Sequence, residues 1–249
     1  MSKPIADSLY GDPRLAQLYD LDNPWGVDFD FCLTMARDAE SVLDLGCGTG
    51  QLTTALSNGR TVAGVDPAAA MLEIARARPG GENVTWIDGD ARSMRLGRRF
   101  DLVLLTGHAF QFFLTHEDQI AAVSTIAAHL SPKGRFIFDS RNPAIRTWEN
   151  HDRLTNVRRL HHSQLGEIEA WSEPLYNDTT GILTSTNNYR IVRTGEVLSA
   201  PLRIRFTPQA HLAALLASVG LAVDEWLGDW RGNPYDALSA EIIPLGRLA

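Results

Sequence analysis

The sequence predicts an α/β protein whose main sheet is doubly wound and mostly parallel, with antiparallel β structure inserted late in the chain. Three observations carry this expectation. Strand-like apolar runs alternate with helical periodicity through roughly the first 140 residues, the order that gives parallel strands joined by crossover helices. A glycine cluster, Gly46-Cys47-Gly48-Thr49-Gly50, follows the first of those strands directly and precedes a helical pattern. After Asn142-Pro143 the apolar period drops to two and turn residues become frequent, which describes strands joined by tight turns.

Taken in order, the parallel strands are expected at 41–45, 61–65, 84–88, 100–106 and 134–140, with helices at 50–57, 67–78 and 116–130 between them. Pro67 suits a first helical turn, and Ser131-Pro132-Lys133-Gly134 is a stop between the third helix and the fifth strand. From about Asp152, alternating stretches run over 167–176, 183–192 and 197–206, punctuated at Asn177-Asp178-Thr179-Thr180-Gly181 and at Thr194-Gly195. Thr207-Pro208 opens a further helix whose apolar face is Leu212, Leu215, Leu216 and Val219, closed by Gly220. Strands at 221–226 and 240–245 finish the chain. The expected organisation is an N-terminal helical cap at 1–40, a core at 41–145 and 207–249, and an antiparallel insertion at 146–206.

Composition narrows the partners. With 249 residues, 44% of them hydrophobic and 21% charged, the chain has ordinary globular composition and enough length to bury a full core. A formal charge of −7 gives no general attraction for a polyanion, so nucleic acid is not an expected partner. The dense cationic run Arg158, Arg159, His161 and His162 reads as a solvated strand or loop face rather than a phosphate site. The start at Met1–Asp7 carries no secretory or organellar pattern, no segment has the roughly 18 apolar residues of a membrane span, and Cys32 and Cys47 are too few for a disulfide framework. A cytoplasmic monomer or homodimer is expected.

The glycine turn sits at the carboxyl end of the first strand, where open α/β sheets bind ligands. Its glycines permit positive φ and close backbone approach, and the following helix start offers free N–H groups. Asp66, about 20 residues beyond Gly46 at the end of the second strand, is placed to accept hydrogen bonds from both hydroxyls of a ribose; the competing role is a helix N-cap. Together they point to a nucleoside-containing cofactor. Dinucleotide sites use GxGxxG, whereas here the third glycine comes one residue early, which disfavours a pyrophosphate and a nicotinamide oxidoreductase.

At this point Val42–Gly50, reading VLDLGCGTG, resembles the first motif of the class I S-adenosylmethionine-dependent methyltransferases, a Rossmann-like family, and the resemblance extends from Tyr19 to Asp139. It implies S-adenosylmethionine as cofactor, held at Asp44, Gly46, Cys47, Gly48 and Gly50. It implies Asp66 as the ribose ligand, Pro67 and Met71 beside the adenine, Asp90 with Ala91 in the GDAR segment at the adenine, and Thr106 in the fourth-strand segment FDLVLLTGHAFQFF. Met71 also reads as core packing, and Asp44 as a group orienting the loop or meeting the methionine amine. Tyr19, in Leu18-Tyr19-Asp20, resembles an N-terminal Tyr-Asp motif of small-molecule members that lies near the transferred methyl. The insertion resembles their lid, with Trp148, Trp171, Tyr176, Arg190 and Arg205 as candidates for its inner face.

Methyl transfer from a sulfonium requires alignment and an unprotonated acceptor. His108, just past the fourth strand, is the candidate general base, since an imidazole ordinarily titrates near neutrality; the competing role is packing or a structural hydrogen bond. The tetrapeptide of nucleic-acid amino-methyltransferases is missing after the fourth strand, and Asn233-Pro234-Tyr235 reads as a turn. Asp139 and Asn142 alone do not make a metal site, so none is expected. The expected function is methyl transfer to a small-molecule amine, hydroxyl or carboxylate; the alternative is a catalytically silent S-adenosylmethionine-binding regulatory or scaffold protein.

Overall fold

The computed structural model describes residues 8–150 and 156–249. The segment Met1–Asp7 and the expected beginning of the antiparallel region at Asp152 lie outside the described residues. Strands β1 (Ser41–Leu45), β2 (Thr61–Asp66), β3 (Val84–Asp88), β4 (Phe100–Leu105) and β5 (Leu130–Phe138) pair in parallel. β12 (Glu241–Leu248) runs antiparallel to β5, and β6 (Ser140–Arg141) and β11 (Leu221–Leu227) pair antiparallel with β12 to complete the sheet. The strand order is β11-β12-β5-β4-β1-β2-β3, with β6 pairing β12. The chain reverses direction across the sheet between β1 and β4, so the carboxyl ends of these two strands open the crevice in which such sheets bind ligands.

Buried parallel strands are covered on both faces, and the residues alternate accordingly. Leu43, Leu45, Val103 and Leu105 pack with Phe136 and Phe138 under α7 (His116–His129) and α8 (Gln209–Ser218). Val42, Leu102, Leu104 and Ile137 face the other way, onto α4 (Val27–Met35) and α5 (Gln51–Leu56). The Thr115 side chain caps α7 by accepting from the Asp118 N–H.

Two boundaries differ from expectation for local reasons. Helix α6 (Ala69–Ala77) starts after Ala68, leaving Pro67 exposed outside the first turn, because the Asp66 carboxylate takes the Ala68 N–H at 2.8 Å and holds the chain extended there. The Ser131–Gly134 segment is a bulge inside β5: Phe100 pairs with Leu130 and Leu102 with Arg135, so β5 spends the extra residues while α7 ends at His129.

The insertion is a separate antiparallel sheet in the order β10-β9-β8-β7, made of β7 (Arg158–His162), β8 (Gly166–Asn177), β9 (Ile182–Ile191) and β10 (Val197–Arg205). Asn177 Oδ1 accepts from the N–H groups of Thr179 and Thr180 to turn β8 into β9. The cationic run is strand β7, and its charges are matched: Arg158 forks onto Asp22 and Arg159 meets Glu167. One face of this sheet packs Ile168, Ala170, Tyr189, Leu198 and Ala200 against Leu9, Leu15 and Leu18 of the N-terminal segment. That segment holds three short helices, α1 (Ser8–Gly11), α2 (Pro13–Ala16) and α3 (Tyr19–Asp22), and its Ala16 reaches Met71 of α6. Among the described residues, no helix is long and apolar enough to cross a membrane.

Candidate active site

The site begins at the end of β1. Gly46, Gly48 and Gly50 have φ of +70°, +52° and +73°, a region that costs an L residue roughly 1–2 kcal/mol. Packing reinforces this at Gly50, where an added Cβ would lie 2.5 Å from the Trp86 ring and 2.9 Å from Ala75 Cβ. The turn is tied to β2 by the N–H groups of Gly46 and Cys47, both donating to the Val65 carbonyl, at 2.7 and 3.0 Å. Asp66 completes it: Oδ2 accepts from Gly48 N–H at 2.9 Å while Oδ1 accepts from Ala68. Burial pushes the Asp66 carboxyl up, opposed by those two N–H groups and aided by the charge of Asp88. A carboxylate offers about four lone-pair sites, and the backbone takes one on each oxygen, so one remains on each. Two free acceptor positions side by side match the two hydroxyls of a ribose.

Asp44 lies behind the turn, fully enclosed, with the Thr53 hydroxyl donating to Oδ2 at 2.5 Å. Burial pushes its carboxyl up to about 7, against the pull of that hydroxyl, and the charge of Asp66 adds to the rise. An ammonium group nearby would relieve this cost. Left-handed glycines, a half-satisfied Asp66 and an uncompensated buried Asp44 therefore fit a ligand that carries both a ribose and an amino acid.

The remaining expected cofactor residues are placed unevenly. Burial pushes the Cys47 thiol up, in keeping with a small packed side chain. Met71 is buried with Ala16, Ala68 and Ala70. Ala91 and Thr106 are buried at the carboxyl edge. Asp90 is engaged by its neighbour: partial burial pushes it up, but Arg92, through its main-chain N–H and its guanidinium at 2.6 Å, holds it below the usual range.

Helix α3 straps across the turn. A methyl group on Gly48 would lie 3.8 Å from Tyr19 Cε1, and one on Gly107 would lie 3.9 Å from its hydroxyl, so the ring sits between the glycine turn and the loop after β4. Burial, then the charges of Asp66 and Asp20, push the phenol well above its ordinary range. Asp20 accepts from Thr49 Oγ1 and from Arg78 Nη2, and Arg78 Nε donates to the Thr49 carbonyl. Asp22 receives the Arg158 fork of β7 and the Tyr189 hydroxyl of β9 at 2.9 Å. One turn of helix thus joins the glycine turn, the cavity and the inserted sheet.

After β4, Gly107 and His108 both take positive φ, +68° and +59°. His108 holds this strained position because its main-chain N–H donates to Asp139 Oδ1 at 3.0 Å. Its Nε2 lies 3.0 and 3.1 Å from the Glu241 carboxylate oxygens and 3.4 Å from Asp139 Oδ2. Burial pushes the Asp139 carboxyl up, with His108 pulling down and Glu241 pushing up. The three side chains bring one ligand-type atom each within 4.8 Å of the others. Asn142 is not among them; its amide ties the Pro143–Ile145 turn to the carbonyls of Ala237 and Ser239.

These groups border a cavity of about 380 Å³. Its polar wall is Asp22, Asp28, Asp139, Arg141, His108 and Glu241; its apolar wall includes Tyr10 and Phe112, whose rings meet edge to face at 5.5 Å, and Leu202 and Ile204 of β10. Of the residues expected on the inner face of the insertion, Trp148, Tyr176, Arg190 and Arg205 make other contacts. Trp148 stacks on Tyr176 at 3.9 Å and meets Phe206, Arg190 pairs with Glu169, and Arg205 donates to the Leu114 carbonyl. Asn187, Tyr189, Leu202 and Ile204 face the cavity instead. Glu241, which opens the apolar last strand, was not expected in the site; its only sequence signal is a lone charge at that strand's start. A broader depression bordered by Glu40, Arg60, Thr61 and Asn83 lies at the amino ends of β1 to β3, away from all of this.

Comparison with known proteins agrees with the geometry. Residues 42–134 match the family described as methyltransferase domain. The chain is 29% identical over 216 residues to the cypemycin N-terminal methyltransferase of a Streptomyces species, spanning 83% of this chain and 82% of that one. It is 35% identical over 106 residues to the dTDP-3-amino-3,4,6-trideoxy-α-D-glucopyranose N,N-dimethyltransferase of Streptomyces venezuelae, an alignment covering 42% of this chain and 44% of that enzyme. The fold is also that of the CcbJ methyltransferase from Streptomyces caelestis, with a TM-score of 0.77 at 23% identity over 96% of this chain and 98% of that one. The methyltransferase-domain match over residues 42–134, the methyltransferase relatives and the doubly wound fold together identify this chain as a class I S-adenosylmethionine-dependent methyltransferase.

Proposed function

We propose that this enzyme methylates the nitrogen of a small-molecule amine. The observation that carries the reading is the charge of the cavity: Asp28, Asp139 and Glu241 face it, beside an Asp22 already paired with Arg158, against the cation Arg141. Such a wall concentrates an ammonium and repels a carboxylate acceptor. An ammonium needs only to lose a proton before it can attack, whereas a hydroxyl needs a stronger base. The relative from Streptomyces venezuelae is by name an N,N-dimethyltransferase of a 3-amino sugar nucleotide, which supports the same choice.

S-adenosylmethionine supplies the electrophilic methyl group. In this reading Gly46, Cys47, Gly48 and Gly50 cradle it, Asp44 faces its amino group, Asp66 takes its ribose, and Pro67, Met71, Asp90, Ala91 and Thr106 border the rest. Tyr19 limits the cavity beside the glycine turn and orients the acceptor. His108 takes the proton from the ammonium, and the nearby carboxylates stabilise the imidazolium that results. The N-terminal helices act as a cap, and the insertion at 146–206 acts as a lid that excludes water and reads the acceptor through Asn187, Tyr189, Leu202 and Ile204.

A labelled-methyl screen over matched amines, alcohols and carboxylates tests this. Transfer to amines alone is the expected result; preferential transfer to oxygen in the matched alcohols or acids overturns it.

A further inference from the structure

We propose that Glu241 is a positioning residue that fixes which nitrogen of His108 is basic: it holds the ring proton on Nε2 and leaves Nδ1 as the atom that receives the acceptor's proton. The inference rests on the proton-accepting role given to His108 above, and it adds a residue and an atom to that role.

The geometry is one-sided. Both Glu241 oxygens, at 3.0 and 3.1 Å, and Asp139 Oδ2, at 3.4 Å, approach the same ring nitrogen. Ionised carboxylates only accept, so a neutral ring meeting them at Nε2 must donate from Nε2 and carry its lone pair on Nδ1. Among the described residues, no hydrogen bond is made to Nδ1 of His108, in contrast to His129, whose Nδ1 meets the Thr125 carbonyl at 2.7 Å. Asp139 serves the same end through the backbone, holding the left-handed His108 main chain by its N–H. Asp139 thus fixes where the residue stands and adds one longer contact to Nε2, while Glu241 makes the two shorter contacts that set which way the ring is protonated. When the acceptor arrives as an ammonium, its proton passes to Nδ1 and the electron pair of the N–H bond stays on the acceptor nitrogen. The imidazolium then carries N–H groups on both sides, and its Nε2–H still faces Glu241, whose charge it offsets.

Glu241 comes from β12, which the sheet order places beside β5, so the pairing joins residues 133 apart in the chain. Its side chain is about one-fifth exposed, whereas that of Asp139 is almost fully enclosed.

The test is nitrogen-15 NMR of histidine-labelled full-length enzyme, recorded on the alkaline side of the ring titration, with the His108 signals assigned by their loss in His108→Gln. The expected wild-type spectrum shows the Nε2–H form. Glu241→Gln retains an accepting oxygen and keeps that form; Glu241→Ala releases the ring into a mixture of both tautomers. With an amine returned by the labelled-methyl screen, Glu241→Ala should lower kcat about 100-fold with KM little changed, and Glu241→Gln should recover part of the loss. A wild-type Nδ1–H form, or an unchanged tautomer in Glu241→Ala, overturns the proposal. So does activity that appears with added Mn²⁺ and disappears with chelator, because the same three side chains would then be serving a cation. A tautomer that shifts as expected while kcat stays constant supports the positioning assignment and removes His108 as proton acceptor, which separates the two readings.

Discussion

Replacing Asp66 by Asn tests the cofactor site most directly, because it preserves volume and removes two things that can be measured apart. The carboxylate accepts from Gly48 and Ala68 at 2.9 and 2.8 Å, and in the proposed complex it also accepts from both ribose hydroxyls. An amide has one oxygen and one NH2, so whichever way it turns, one backbone N–H faces another donor. Hydrogen bonds to a charged acceptor contribute about 1.5–3 kcal/mol and neutral ones about 0.5–1.5, so each contact that survives is weaker by about 1 kcal/mol. Over two ribose contacts the expected loss is about 2 kcal/mol, or about 30-fold in affinity for S-adenosylhomocysteine. Titration calorimetry measures this directly. Comparison with the 2′,3′-dideoxy analogue closes a double-mutant cycle: wild type should discriminate against the analogue, and Asp66→Asn should discriminate much less. A variant that still prefers the hydroxylated ligand as strongly as wild type would show that Asp66 serves only the turn, and the ribose assignment would fail.

Two further outcomes follow from burial and backbone. Asp44 titrates at about 7 in the folded chain against 3.8 for an ordinary aspartate, so between those values the native state binds more protons than the unfolded state. Its contribution is therefore fullest below about pH 4 and is lost as pH rises to about 7, a change of about 4 kcal/mol. Asp44→Asn should then gain stability over wild type at pH 8 but not at pH 4 in urea unfolding; an equal gain at both would contradict the buried-charge account. Gly50→Ala combines a left-handed φ with a methyl driven into Trp86 and Ala75, and should cost about 2–5 kcal/mol. Denaturant midpoints indistinguishable from wild type would show that neither the left-handed φ nor the contact with Trp86 and Ala75 opposes the methyl group.

The doubly wound core was legible in the sequence because each of its signals is local. The apolar run at Val42–Leu45, the three glycines that follow and Asp66 are linked by backbone geometry over one β-α-β unit, and their order alone puts them at one sheet edge. The antiparallel insertion was legible for the same reason, from its period of two and its turn at Asn177. Boundaries were less so. Pro67 looked like a helix start until the Asp66 side chain took the Ala68 N–H, and Ser131–Gly134 looked like a loop until the pairing of β4 with β5 absorbed it as a bulge.

What period and motif determined, then, is the sheet, the glycine turn and the acid beside it. Only the tertiary structure decided which distant side chains meet around the cavity. Glu241 meets His108 because β12 runs next to β5, and Asp22 meets Arg158 and Tyr189 because the inserted sheet folds back on the N-terminal helices. A lone Glu at a strand start and an Asp at a helix end look locally like any solvated carboxylate. Their pairing depends on strand order and on packing between segments more than a hundred residues apart, and neither leaves a periodic trace in the chain.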